Sequence, residues 1–291
     1  MNHVLTLVAA RDATTLSPAL IGRVRDAVRG GPPVVLSPGE AVDIPTDGPP
    51  AMPAARAAIG SAAVDAIPVR VRGRRKALLI ADMDSTIVTG ETLDELAAIA
   101  GIGEAVAAIT RRSMNGEIDF ATALRERVAM LSGLDLSALE QTWQGVRLTP
   151  GARALVATMR EHNALTALVS GGFTWFTSRV AVEAGFDVHR ANVLLDDGTV
   201  LTGAVEEPIL DRGAKLTALR ELAQVRGVRL TATLAVGDGA NDLGMLREAG
   251  LGVAFRAKPI VAAEVEARVE HADLRALLFA QGYTAASIIE H

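Results

Sequence analysis

Short apolar stretches separated by strong breakers fill the first 71 residues, and their periodicity predicts elements in the order β-α-β-β-α-β. Residues 5–9 read as a strand. Residues 18–28 carry apolar side chains at helical spacing behind Pro18, and Gly30-Gly31-Pro32-Pro33 closes them off. Residues 34–36 and 41–44 are short strands, 45–53 is turn-rich, and 54–59 is a helix. Ile67, Val69 and Val71 alternate as in a strand, and Pro68 between them points to a sheet edge, since proline cannot donate to a central ladder. This order is the split βαβ, or ferredoxin-like, arrangement, with two helices on one face of an antiparallel sheet.

Beyond residue 76 the pattern changes to wholly apolar strands alternating with amphipathic helices, as a parallel sheet with crossover helices requires. The strands are 77–81, 165–169, 234–236 and 251–254. Between the first two lies a helical stretch, 92–149, too long for a simple crossover; inserted at the carboxyl end of a strand, it would roof a ligand site. Asp196-Asp197-Gly198 reads as a hairpin turn. Arg70, Arg72, Arg74, Arg75 and Lys76, around Gly73, read as a solvated linker before a buried strand, with a phosphate or polyanion patch as the alternative. The predicted fold class is α/β: a Rossmann-like parallel sheet core in residues 74–291 with a helical cap at about 92–149, preceded by a small α+β module in residues 1–73.

Composition narrows the chemistry. The 291 residues are 49% hydrophobic and 22% charged, a globular balance, and the length suggests about two domains. With no cysteine, thiolate nucleophiles, disulfides and iron–sulfur sites are excluded. A net charge of −5 with two Trp, one Tyr and six Phe gives no footprint for nucleic acid, so none is expected as a partner. No apolar run reaches the ~18 residues of a membrane span, and the first residues carry no leader pattern, so the expected compartment is the cytoplasm.

The first parallel strand runs into Asp82-Met83-Asp84-Ser85-Thr86. Residues two apart on a strand point to the same side, so Asp82 and Asp84 are expected to face one small volume with Met83 turned away. Two adjacent carboxylates repel, and a divalent cation such as Mg²⁺ relieves that while leaving coordination positions for water and phosphate. The strand at 234–236 ends in Gly237-Asp238-Gly239-Ala240-Asn241-Asp242. Here Asp242 stands where a dinucleotide fingerprint needs glycine, and its charge would repel a pyrophosphate. The strand at 165–169 ends in Ser170-Gly171-Gly172, a hydroxyl and backbone N–H groups placed before a helix expected from Phe173, which suits a phosphate. Lys215, in the opening of another helix, offers the positive charge such a site needs. Each feature alone is also ordinary turn chemistry; their conjunction at successive strand ends points to phosphate and metal.

Taken in order, Asp82-Met83-Asp84-Ser85-Thr86, Ser170-Gly171, Lys215 and Gly237-Asp238-Gly239-Ala240-Asn241-Asp242 resemble the four motifs of the haloacid dehalogenase superfamily of phosphotransferases, over residues 76–278. The longer strings around Ser170 and Asp238 resemble its phosphoserine-hydrolysing branch. The resemblance implies the fold above and Mg²⁺-dependent hydrolysis of O-phospho-L-serine, the last step of serine synthesis. It implies Asp82 as nucleophile and Asp84 as general acid and base. Mg²⁺ would be held by Asp82, the Asp84 carbonyl and Asp238, with Asp242 in or near its shell. Ser170, Gly171, Lys215 and Asn241 would bind the phosphate. Glu91 would meet the substrate ammonium and Arg127 its carboxylate, with Met114 and Phe120 as apolar lining; Arg125, two positions from Arg127, faces elsewhere on a helix.

Gly90 departs from the bulkier polar residue usual before the glutamate, and the five histidines match no family position. The alternative reading is a phosphatase or phosphotransferase of the same superfamily acting on another small phosphorylated metabolite. The N-terminal module resembles amino-acid-binding modules attached to such enzymes in element order only: Arg11-Asp12-Ala13-Thr14-Thr15 stands where a glycine-rich ligand loop is expected. It reads as a packing or dimerisation module, giving a homodimer through it as the expected assembly, with serine sensing as the alternative.

Overall fold

The computed structural model describes residues 1–114 and 117–290, the side chain of Met114 excepted. The N-terminal elements are β1 (His3–Ala9), α1 (Pro18–Ala27), β2 (Val34–Ser37), β3 (Ala41–Thr46), α2 (Met52–Ile59) and β4 (Val64–Arg70). They form a four-stranded sheet in the order β2-β3-β1-β4, whose adjacent strands run antiparallel. Pro68 lies on edge strand β4, as its missing N–H demands.

Period-two alternation explains why this sheet has two dry faces. Leu5, Leu7 and Ala9 join Leu20, Val24, Ala55 and Ile59 in a core under α1 and α2. Val4 and Val8, with Ile67 and Val69 of β4, point the other way into the main core of the molecule.

The rest of the chain comprises β5 (Leu78–Ala81), α3 (Thr92–Ile99), α4 (Gly103–Met114), α5 (Phe120–Ala129), α6 (Ser137–Gly145), α7 (Ala152–Glu161) and β6 (Leu165–Phe173). These are followed by α8 (Thr174–Ala184), β7 (Val188–Asn192), β8 (Leu194–Asp196), β9 (Leu201–Val205), α9 (Ala214–Arg226) and β10 (Thr233–Gly237). The chain closes with α10 (Leu243–Glu248), β11 (Leu251–Phe255), α11 (Pro259–Glu264), β12 (Arg268–Val269) and α12 (Ala276–Ala280). A six-stranded parallel sheet runs β12-β11-β10-β5-β6-β7. Its central strand β5 is buried throughout: Leu79 and Ala81 feed one core, Leu78 and Ile80 the other with Leu219 and Leu222 of α9. The expected hairpin forms between β8 and β9, and helices α3 to α6 fill the span expected to be a roof. Among the described residues no helix is long and apolar enough to cross a membrane.

The basic run is not a solvated linker throughout. The Arg74 side chain is 14% exposed, and its guanidinium donates to both Asp43 oxygens, to Thr6 Oγ1, and to the Phe279 and Ala280 carbonyls of α12. Lys76 Nζ donates to the Gly73 and Thr231 carbonyls at 3.0 and 2.8 Å, and burial pushes its pKa down to about 8. Asp65, buried on β4, accepts the backbone N–H groups of Glu270, His271 and Ala272. Most of these partners are remote in sequence, so periodicity could not reveal that Arg74 ties β1 and β3 to α12 or that Asp65 ties β4 to the segment after β12. Arg74→Ala would leave the Asp43 carboxylate buried without its cation, and urea unfolding should show a loss of about 3 kcal/mol; a loss under about 1 kcal/mol would make the contact an ordinary surface pair.

Candidate active site

The site forms where β5, β6, β10 and β11 end side by side, at the carboxyl edge of the sheet. β5 stops at Ala81, and the next residues do not continue as a strand. Asp82 precedes a kinked turn, Met83–Ile87, closed by the Val88 N–H on the Met83 carbonyl at 3.0 Å, in which Asp84 is extended and Ser85 takes a left-handed φ of 55°. The alternation expected for Asp82 and Asp84 is therefore replaced by a turn. Asp82 Oδ1 accepts the Met83 N–H at 2.8 Å, and Asp82 N–H donates to the Val236 carbonyl at 3.0 Å, anchoring the turn to β10.

Lys215, in the first turn of α9 and 3% exposed, lies 2.6 Å from Asp82 Oδ2 and 2.6 Å from Asp242 Oδ1. Asp242 is fully buried, and its second oxygen takes the Gly239 N–H at 2.9 Å. Gly237 has to lack a side chain, because a Cβ there would overlap the Asp242 carboxyl group. Carboxylate oxygens of Asp82, Asp238 and Asp242 lie within 4.8 Å of one another. Asp238 is the least committed of the three: its oxygens have Thr86 Oγ1 at 3.4 Å and Lys258 Nζ at 3.7 Å.

Three buried carboxylates beside one buried ammonium leave excess negative charge, and the titration directions register it. Burial, then repulsion by Asp242, raises Asp82 well above the usual carboxylate range despite Lys215. Burial and Asp242 raise Asp238 to about 6, against Lys258. Lys215 is lifted above its ordinary value because Asp242 and Asp82 outweigh its own desolvation. Hard oxygen donors at this spacing, with uncompensated negative charge, are compatible with a divalent metal ion.

The Asp84 carboxyl group is not part of that cluster. Its Oδ1 accepts the Thr92 N–H at 3.0 Å at the start of α3. Burial and then Glu91 raise it to about 7, opposed by the Thr92 hydrogen bond and Lys215. On β6 the expected turn into a helix is a continuing strand: the chain stays extended through Ser170-Gly171-Gly172 to Phe173, its pairing with β7 shifted after Val169, and α8 begins at Thr174. Ser170 Oγ accepts the Gly172 N–H at 2.9 Å. A Cβ on Gly172 would sit 3.1 Å from Ser170 Oγ and 3.2 Å from Asp84 Oδ2, so these two side chains converge over it.

The helical segment between β5 and β6 reaches this edge through Phe120. Phe120, at the start of α5, places Cζ 3.2 Å from where a Cβ on Gly171 would be. Glu91 is exposed and accepts Ser85 Oγ at 2.7 Å. Arg127 is half-buried, donates from Nε to the Ala123 carbonyl at 3.2 Å, and among the described residues has no carboxylate at ion-pair distance. Its pKa is lowered by burial, against the pull of Asp94 and Glu91. Arg125 points outward to Glu207 at 2.7 Å. Asn241 is half-buried within the loop, its Oδ1 over Gly239. The Met114 side chain lies outside the described residues.

Sequence reasoning passed over Thr86, Thr92 and Lys258. Lys258 follows β11, the fourth of the strands predicted for the sheet, and applying the strand-end rule there would have found it. Thr86 and Thr92 are buried; Thr86 meets Asp238 from a distant part of the chain, and Thr92 acts through its backbone N–H on Asp84, so neither link shows in the sequence. His189 pairs with Thr177 and His162 packs edge-on against Tyr283, so neither joins the acidic cluster.

Residues 79–247 match the family described as haloacid dehalogenase-like hydrolase. A protein from Streptomyces coelicolor named phosphoserine phosphatase is 44% identical over 212 residues, 72% of this chain and 52% of its own length. The chain likewise spans about half the length of the relatives of that name from Archaeoglobus fulgidus and Mycobacterium tuberculosis, 56% and 53%. A solved structure described as a phospho-aspartyl intermediate analogue of phosphoserine phosphatase is 39% identical, with a TM-score of 0.65 over 70% of this chain and 98% of that one. The solved, unliganded probable phosphoserine phosphatase from Vibrio cholerae is 30% identical, with a TM-score of 0.81 over 98% of this chain and 88% of its own.

Proposed function

The chain belongs to the haloacid dehalogenase-like hydrolases, and from that premise we propose that it hydrolyses O-phospho-L-serine to L-serine and phosphate through an aspartyl phosphate, with Mg²⁺ as cofactor. The observation that carries this reading is Lys215 held 2.6 Å from both Asp82 and Asp242 beside Asp238, with Asp84 and Ser170 converging next to them. Relatives and solved structures that bear the phosphoserine phosphatase name support the substrate.

In this reading an Asp82 oxygen attacks phosphorus in line; a P–O bond to Asp82 forms as the ester P–O bond breaks. Asp84 gives its proton to the departing serine oxygen. It then takes a proton from a water whose oxygen attacks phosphorus, releasing Asp82 and inorganic phosphate. Lys215 steadies the nucleophile and offsets phosphoryl charge, while the Ser170 hydroxyl, the Gly171 N–H and Asn241 receive phosphoryl oxygens. Mg²⁺ would be held by Asp82, Asp238 and the Asp84 carbonyl, with Asp242 in or near its shell, and supplies charge compensation between nucleophile and phosphate.

Glu91 would take the ammonium and Arg127, whose guanidinium has no carboxylate partner among the described residues, the substrate carboxylate. Phe120, over Gly171, closes the apolar side of the pocket, and Met114 is assigned the same lining role from the resemblance. Residues 1–73 serve as a packing module on the 74–291 body, with 92–149 as cap; the Arg74 and Asp65 contacts support this.

The test is a substrate panel with Mg²⁺ present. Phosphoserine should exceed phosphothreonine, phosphoethanolamine and sugar phosphates in kcat/KM by about tenfold or more. Arg127→Ala should raise KM for phosphoserine roughly 10- to 100-fold and leave phosphoethanolamine, which has no carboxylate, nearly untouched. Equal rates across the panel would favour the other reading, a phosphatase or phosphotransferase for a different small metabolite.

A further inference from the structure

Behind Ser170 lies a residue that none of the motifs contains. Asn192 ends β7 and pairs with Phe173 across the register shift that follows Val169. It is 3% exposed, and both ends of its amide are engaged. The Leu210 N–H donates to Oδ1 at 2.8 Å, and Nδ2 donates to the Gly171 carbonyl at 2.9 Å. A backbone N–H can only donate and a carbonyl only accept, so the two partners fix which way the amide faces.

The Gly171 carbonyl and the Gly172 N–H are the two ends of one planar peptide unit. That N–H donates to Ser170 Oγ at 2.9 Å. With an acceptor position of the hydroxyl filled from behind, its own proton is directed away from the Gly172 amide. We infer that Asn192 is a positioning residue for the phosphoryl group: it pins the Gly171–Gly172 peptide so that Ser170 presents its O–H to a phosphoryl oxygen. The inference rests on the phosphatase reading above.

Two features distinguish this from a plain tie between a loop and the sheet. All the bonds run in one direction, from the Leu210 amide through Asn192 and the peptide to Ser170, so each polarises the next. The same amide also registers the segment leading into α9, which carries Lys215, against the cradle strand β6. One side chain thus sets the spacing between two groups that meet the phosphate.

The test uses the full chain, with phosphoserine as substrate and inorganic phosphate as competitive inhibitor. Asn192→Asp preserves the volume and the acceptor for Leu210 but sets an acceptor against the Gly171 carbonyl; Asn192→Ala removes both bonds. Each should lower kcat/KM and weaken phosphate inhibition roughly 10- to 100-fold. In a double-mutant cycle, Ser170→Ala should absorb most of that loss, because Asn192 acts through it. Should Asn192→Ala fail to fold, Asn192→Asp runs the same cycle. Additive losses, an unchanged phosphate Ki in a folded variant, or an effect confined to thermal stability would overturn the inference. Failure of the underlying reading is separately visible: either the parent chain does not hydrolyse phosphoserine, or Ser170→Ala alone retains full turnover and phosphate affinity.

Discussion

Asp82→Asn should abolish turnover, lowering kcat by about 10⁴-fold or more, because an amide oxygen cannot replace a carboxylate as the nucleophile that takes up the phosphoryl group. The fold should survive. Asparagine keeps an oxygen for the Met83 N–H, and Lys215 retains Asp242 at 2.6 Å. The substitution also removes one of the like charges whose repulsion, after burial, holds Asp82 above its ordinary range. Thermal unfolding should therefore occur at the same temperature or higher. Rapid acid quench of the parent chain with labelled phosphoserine should trap label on protein in a form that hydroxylamine or alkali releases, as an acyl phosphate requires, and the variant should trap none. Turnover within tenfold of the parent, or no protein-bound label in it, would remove the covalent route and with it the role of Asp82.

How much of this was legible in the sequence depends on how local each cause is. β5 is wholly apolar, β10 is apolar after Thr233, and both run into acidic strings, so their place at the centre of the sheet and the chemistry at their tips can be read directly. β7 escaped because Val-His-Arg-Ala-Asn carries only two apolar side chains, as an edge strand can, and β12 is two residues long. The site residues were legible as types at strand ends, but their geometry was not. Strand alternation predicts that Asp82 and Asp84 face one volume, whereas a kinked turn with a left-handed Ser85 gives them different partners, Asp82 meeting Lys215 and Asp84 the Thr92 N–H. The Arg74 and Asp65 contacts join residues from opposite ends of the chain and leave no periodic trace. Asn192 stayed silent for a related reason: its meaning lies in two backbone partners, and backbone carries no sequence.

The division between Asp82 and Asp84 sets the second large effect. Asp84→Asn should lower kcat/KM for phosphoserine by roughly 10²- to 10⁴-fold, since a serine alkoxide is a poor leaving group without a proton. For a phenyl ester with an electron-withdrawing ring, whose leaving group departs unprotonated, the loss on phosphorylating the enzyme should be far smaller. With that ester the acyl phosphate should instead accumulate, because the base that activates water is gone. The pH profile follows from burial and Glu91 holding Asp84 at about 7. Its acid form dominates below that pH and is lost as pH rises through it, so the parent's kcat/KM for phosphoserine should fall on the alkaline side and the variant's should not. Equal losses for alkyl and activated phenyl esters, with the alkaline limb still present in Asp84→Asn, would show that the proton comes from another group.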